Sequence, residues 1–367
     1  MVRDEAIDAM VSVMKENYGN PSSMHYMGRN AASIRELARK NVATVLGAAP
    51  ENIYFTSGGT EANNWAVLGL AEVRARKGRH IITSEIEHSA VIEPIKKLES
   101  LGWAVTYLAP DSMGRISTDA FSAALREDTA FVSIMTVNNE TGAINPISDY
   151  SAEIKRRKLG TLLHTDAVQA FCKIPISIKT LGADLIAVSA HKMHGPKGVG
   201  ALYVKSGINL PEAQLGGGQE RGKRPGTEAL PSIAGFGEAS RYAFLEQQET
   251  SSKVKNLKEY LISKLRQDIP ETLFISDGGS PFLLSISLPG HKSEVLMSFL
   301  EAEGICVSKS SACKKGTRSH VLEAMKLKND VIDGALRISF SKYNTFPEAD
   351  YFIETLKKAS DTLLKSF

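Results

Sequence analysis

The chain has 367 residues, 43% hydrophobic and 23% charged, with a formal net charge of +3. These proportions suit a soluble globular protein of one large domain plus a smaller one, and the charge is too small to imply a nucleic-acid or membrane partner. Three cysteines, Cys172, Cys306 and Cys313, form no CxxC pair, no apolar run reaches membrane-spanning length, and the first residues carry no apolar signal core; neither a metal site nor a disulfide framework is indicated, and a reducing cytoplasmic location is expected.

Residues 1–16 read as a helix with apolar positions at Ile7, Met10, Val11 and Met14, and 28–46 read as a second helix. Ile53 to Thr56 is a short strand that runs through Ser57-Gly58-Gly59-Thr60 into an apolar-periodic helix reaching about Val73. Strand, glycine turn and helix start together make an anion site, because the first N–H groups of the helix are open and no Cβ blocks approach. No GK[ST] follows, so this is not a Walker loop. Alone, Gly-Gly-Thr is a weak signal, and an ordinary capped turn is the reading it favours.

Strands at His80–Thr83, Trp103–Leu108, Phe131–Val137 and Thr161–His164 then alternate with helical patterns. That alternation predicts a mostly parallel sheet with helices on both faces. Leu185 to Val188 is a further buried strand, and Val199 to Val204 another; Lys192 lies just past the end of the first. His88, Asn139, Asp166, Gln169 and Lys192 all fall just after strand ends, where a doubly wound sheet places its site. A lysine there can be desolvated, which frees its amine to attack an aldehyde. By itself the segment favours the plainer reading, a solvated turn lysine.

Leu215 to Thr227 is glycine-rich and basic. It lacks the aromatic interleaving of single-strand binders and is expected to be a rigid loop presenting Arg and Thr to phosphate. A long helical stretch from about 236 to Leu265 leads to a smaller α+β layer. That layer has strands near Phe282–Ser287, Ile305–Val307 and Ala335–Phe340, and helices near 292–303, 319–326 and 347–365. Domain bounds are expected at 12–245 for the large domain and at 1–11 with 246–367 for the small one.

Several stretches stand out together: Gly19 to Ser23 with His25, Phe55 to Asn64, Glu87-His88, Asn138 to Gly142, His164 to Gln169, His191-Lys192 with Gly195 to Gly198, Gly217 to Gly222 with Gly226-Thr227, Ser311-Ala312-Cys313, and Leu336 to Ser339. As a set they resemble the cysteine desulfurases, the NifS/IscS-like branch of the class V aminotransferase-type pyridoxal-phosphate enzymes. They occur in the family's order over nearly the whole chain. The resemblance begins at the family's first helix; the strand and short Asn-small-small-Thr-Thr segment that usually open the family have no counterpart. His194 stands where a tyrosine is usual, and the segment from Cys313 to Ser319 is shorter than in many relatives.

The resemblance implies an α/β fold of the PLP-dependent transferase type I, with a mainly parallel seven-stranded sheet flanked by helices and a smaller α+β domain. It implies pyridoxal 5'-phosphate joined to Lys192, with Asp166 on the pyridine N–H and Gln169 on the phenolic oxygen. His88 would lie over the ring and move protons, and Asn139 would touch the phenolic oxygen or substrate. Gly59, Thr60, Ser189 and His191 would hold the phosphate. Thr227 would reach the phosphate of a second copy, which implies a homodimer, and Arg337 would grip the substrate α-carboxylate. Cys313 would take sulfur from L-cysteine as a persulfide, leaving L-alanine, and pass it to an iron–sulfur scaffold or a tRNA-thiolating acceptor. Selenocysteine lyase, cysteine sulfinate desulfinase and a catalytically impaired dimeric scaffold are the alternatives. Cys172 and Cys306 are expected to be packing residues.

Overall fold

The computed structural model describes residues 1–309 and 318–365. By internal contacts the chain divides into two compact units. The first comprises residues 1–108, 118–136 and 146–247, and the second 109–117, 137–145 and 248–367.

The first unit is built on a seven-stranded sheet. In chain order the strands are β1 (Ile53–Thr56), β2 (His80–Ser84), β3 (Ala104–Leu108), β4 (Thr129–Ser133), β5 (Leu162–Asp166), β6 (Leu185–Ser189) and β7 (Gly200–Val204). Their order across the sheet is β1-β7-β6-β5-β4-β2-β3, and only β7 runs against its neighbours. β2, β4, β6 and β7 are buried along their whole length. That burial explains why they read as continuous apolar runs rather than as an alternation. β4 stops short of the expected Val137, because the chain leaves the regular ladder after Ser133. Thr136 N–H then bonds the Asp166 carbonyl at 2.9 Å, and Val137 pairs with Ile144.

Helices α1 (Asp4–Lys15), α2 (Tyr26–Leu46), α3 (Gly59–Arg74), α4 (Ser89–Ser100), α5 (Thr118–Ala124), α6 (Ile147–Arg157), α7 (Ile178–Leu181) and α8 (Leu230–Leu245) belong to the same unit. Residues 1–11, expected in the small domain, fall here because α1 packs on α8. A Cβ at Gly235 would sit 2.8 Å from Met10 Cγ, and buried Arg3 bonds the Ala239 carbonyl and Glu246. The expected single helix from 236 to 265 is two helices, α8 and α9 (Gln247–Asp268), which part at Glu246.

The second unit adds β8 (Leu273–Ser276), β9 (Leu283–Ser287), β10 (Ser308–Lys309) and β11 (Ala335–Ser339), in the antiparallel order β10-β11-β9-β8. With them go α9 and helices α10 (Ser293–Ala302), α11 (His320–Ala324), α12 (Asn329–Asp333) and α13 (Phe346–Thr362). Leu261, Leu265, Leu284, Ile286, Leu300, Leu336 and Leu356 form the heart of its apolar core. β8 and α12 were not expected from sequence. The strand expected at 305–307 appears instead as the two-residue β10, paired with Leu336 and Arg337.

Cys306 corrects the packing assignment made from sequence: it is exposed and lies outside any strand. Cys172 fits that assignment. It is buried at φ 59°, and burial pushes its thiol pKa up.

Candidate functional site

In the first unit the site grows from the loops that follow β1, β2, β5 and β6. β1 turns through Ser57 and Gly58 into α3, whose opening residues are Gly59 and Thr60. A Cβ at Gly59 would stand 2.7 Å from Val168 Cγ2 and 3.7 Å from Ser189 Cβ. Glycine therefore lets the start of α3 close onto the ends of β5 and β6. The first N–H groups of α3 have no acceptor within the helix and lie at its positive end. That is an anion cradle.

Asp166 ends β5 and is 6% exposed. Its Oδ2 accepts from Asn63 Nδ2 at 2.6 Å and its Oδ1 from Val168 N–H at 2.9 Å. Burial pushes its pKa up, against the pull of the Val168 N–H, the His88 ring and the Asn63 amide. A carboxylate in this setting is short of positive charge and suits a cationic N–H donor. Asn63 was part of the glycine-turn motif but had no role assigned. Its position one turn into α3 is the signal that could have found it, since that face looks toward the end of β5.

His88 caps α4: its Nδ1 accepts from Ala90 N–H at 3.1 Å. In the neutral ring the proton then sits on Nε2. That tautomer suits a ring laid against a flat group and a donor at Nε2. Moving protons through His88 requires the cap to release Nδ1. The preceding residue, Glu87, is fully buried; its Oε1 accepts from Ser84 Oγ at 2.5 Å and from Met135 N–H at 3.0 Å. Burial, with a smaller contribution from Asp166, raises its pKa to about 8, which favours the protonated carboxyl.

Past β6, Ala190 to Met193 form a short turn that holds half-buried Lys192. Ser189 Oγ and His191 Nδ1 share a hydrogen bond of 2.8 Å. Burial lowers the His191 pKa, and the charges of Lys192, Lys173 and Lys197 lower it further. This positive surrounding favours an anion. Gln169, 8% exposed, accepts at Oε1 from Lys173 Nζ at 3.0 Å. Its amide NH₂ is thereby the end left to donate.

In the loop from 215 to 227 the two arginines already have protein partners. Arg221 donates to the Ile53 carbonyl at 2.8 Å and stacks over Tyr54, while Arg224 forks onto Glu61 at 2.8 and 3.1 Å. Both arginines tie the loop to its neighbours, Arg221 to β1 and Arg224 to α3; Thr227 is exposed.

The second unit holds Asn139 and Arg337. Arg337 lies on β11, and its Nη1 donates to the Asn139 carbonyl at 3.0 Å. The loop beneath Asn139 is fixed by Asn138, whose Oδ1 accepts from the Glu140 and Thr141 N–H groups, each at 2.9 Å. Cys313 lies outside the described residues. Among the described residues no group of His, Cys, Asp and Glu is arranged to hold a metal, and no helix is long and apolar enough to cross a membrane.

Residues 1–352 match the family model described as Aminotransferase class-V. The "Cysteine desulfurase IscS" of Methanosarcina thermophila is 41% identical over 97% of this chain and 88% of its own length. That of Dictyoglomus turgidum is 39% identical over 99% of this chain and 92% of its own. A solved structure titled "NIFS-LIKE PROTEIN" superposes with a TM-score of 0.93 at 40% identity, covering 99% of this chain and 97% of that one.

Proposed function

The chain belongs to the class-V aminotransferases and, within them, to the cysteine desulfurases; from that premise we propose that it binds pyridoxal phosphate at the cluster around Asp166 and moves the sulfur of L-cysteine onto Cys313, releasing L-alanine. The observation that carries this reading is the buried Asp166 carboxylate beside the α3 anion cradle, with Lys192 at the end of β6 in the same unit. A cofactor with a protonated pyridine nitrogen, a phosphate and an aldehyde meets the carboxylate, the cradle and the amine that these residues offer. Asp166 would accept from the pyridine N–H, with Asn63 holding the carboxylate in orientation. Gln169, turned by Lys173, would donate to the phenolic oxygen. Gly59, Thr60, Ser189 and His191 would hold the phosphate, Lys192 would attach the aldehyde, and His88 would rest against the ring.

When bound, pyridoxal phosphate supplies an electron sink at the substrate carbon. The chain's own residues do the rest. Arg337 would fork onto the substrate carboxylate beside Asn139. The Cys313 thiolate attacks the substrate sulfur, the substrate C–S bond breaks, and its carbon gains a proton. The balance is cysteine plus enzyme thiol giving alanine plus enzyme persulfide, with no outside oxidant. In the same reading the exposed Thr227 loop meets a second copy in a homodimer. The persulfide passes to an acceptor protein, an iron–sulfur scaffold or a tRNA-thiolating protein, in the cytoplasm, where thiols stay reduced.

The test is to incubate cofactor-loaded protein with L-cysteine, score alanine, and map the added sulfur by mass spectrometry. Equimolar alanine and a sulfur adduct on the Cys313 peptide are expected, with alanine lost in Cys313→Ser. Sulfur on Cys172 or Cys306, or a fully active Cys313→Ser, overturns the reading. Borohydride should fix the cofactor to the Lys192 peptide and fail to do so in Lys192→Ala.

A further inference from the structure

Glu140 is 4% exposed and stands next to Asn139. Its Oε2 accepts from the Ser319 hydroxyl. Ser319, 3% exposed, is also the N-cap of α11, where its Oγ accepts from Leu322 N–H at 3.1 Å. One residue before it, Arg318 forks onto Asp333 at 2.7 and 2.8 Å. On the far side of 310–317, Ser308 pairs with Arg337 and Lys309 bonds Glu294 at 3.0 Å. Arg337 in turn holds the Asn139 carbonyl at 3.0 Å.

Both described flanks of the Cys313 segment are therefore tied to the strand and loop that carry Arg337 and Asn139. One tie is a backbone ladder and the other is a side-chain bond. A ladder serves any sequence, whereas a carboxyl aimed at a hydroxyl from inside the protein is a specific choice. Burying that carboxyl is costly, and a satisfied buried bond of this kind rigidifies the groups it joins.

We infer that Glu140 is a positioning residue for sulfur transfer, fixing Ser319, and with it the departure point of the Cys313 segment, to the loop that presents Asn139. The inference rests on the assignment of Cys313 as sulfur acceptor and Arg337–Asn139 as the substrate-holding pair. Glu140 touches neither substrate nor cofactor in this role. It acts on the transfer step and leaves cysteine binding to Arg337. Burial raises the Glu140 pKa to about 7, with the Ser319 bond and the Arg337 charge pulling the other way. A neutral amide at 140 can therefore replace it, since an amide oxygen accepts from Ser319 as well.

The experiment uses the cofactor-loaded full chain. Single-turnover alanine formation, the half-saturation of the cofactor's absorbance change by L-cysteine, and the thermal midpoint are measured for wild type, Glu140→Ala, Glu140→Gln, Ser319→Ala and the double alanine variant. Glu140→Ala should slow alanine formation by about tenfold, as loss of a strong buried hydrogen bond would, with half-saturation within about twofold of wild type. Glu140→Gln should recover most of the rate. Ser319→Ala should match Glu140→Ala, and the double variant should be no slower than either. A wild-type rate in Glu140→Ala overturns the inference, as does an equal loss in Glu140→Gln, a defect confined to half-saturation, or additive losses in the double variant. If Glu140→Ala fails to fold, the Ser319→Ala and Glu140→Gln pair decides alone. Sulfur that fails to map to Cys313 in wild type defeats the underlying assignment instead, so the two failures are told apart.

Discussion

A single side-chain hydrogen bond orients the buried Asp166 carboxyl, the group we propose as the cofactor's partner. The Asn63 amide, 2.6 Å from Oδ2, holds the carboxylate in one orientation. Losing a bond to a charged group is worth roughly 1.5–3 kcal/mol. Asn63→Ala should therefore lower kcat by about tenfold while cofactor binding persists; a kcat within twofold of wild type, with a bound-cofactor spectrum unchanged across pH, would leave Asn63 without that role. Cys306 makes the opposite case. Because it is exposed, Cys306→Ser should shift stability by less than about 0.5 kcal/mol, read by urea unfolding, and should leave alanine production intact.

At the scale of elements, one buried ion pair joins three of them. Arg39 on α2, 1% exposed, forks onto Glu220 at 2.7 Å through both terminal nitrogens, and Glu220 also accepts from Phe55 N–H on β1 at 2.9 Å. Arg39 further donates to the Ile53 carbonyl and lies over the Phe55 ring. Glu220 holds its turn at φ 46°, a left-handed conformation that a non-glycine residue adopts at a cost. The pair thus seats the 215–227 loop against β1, whose far end opens into the anion cradle. Removing one partner leaves the other charge buried. Arg39→Met should cost about 3–5 kcal/mol in unfolding free energy, and adding Glu220→Gln should return a large part of it. A single variant as stable as wild type would show that the loop is seated by other contacts.

For the whole molecule, buried titratable groups set how stability follows pH. Glu87 has a folded pKa of about 8, above its unfolded value near 4.3. The folded state holds that proton more tightly, so stability falls as pH rises through that window. His164, fully buried on β5 with Nδ1 2.9 Å from Ser133 Oγ, is held down to about 3 by burial. It does the reverse: the unfolded chain gains the proton as pH drops below about 6.5, so stability falls toward acid. Comparing Glu87→Gln with wild type isolates the first effect. The gap in unfolding free energy should widen in favour of the variant between about pH 5 and pH 8, by up to about 1.4 kcal/mol per unit, and then level off. A gap that stays constant with pH would place the Glu87 proton elsewhere.

The amino-acid sequence alone determined the architecture. Its alternation of apolar runs and helical periods specified a mainly parallel sheet, and its punctuation put Gly59, His88 and Lys192 after strand ends and Asp166 at one, because backbone hydrogen bonding and burial act on local patterns. Motif order was enough for the family. What only the tertiary structure decided is which neighbours of those residues matter. Asn63, Glu87 and Glu140 each stand within three residues of an assigned position, yet nothing local distinguishes them from solvated polar side chains. Their roles come from burial and from partners distant along the chain, as Glu140 meets Ser319 across 179 positions and Arg39 meets Glu220 across 181. The same reason tied Arg221 to the Ile53 carbonyl and Arg224 to Glu61, left Cys306 exposed and placed α1 against α8. Desolvation and long-range pairing are properties of the folded chain, and no short window of residues contains them.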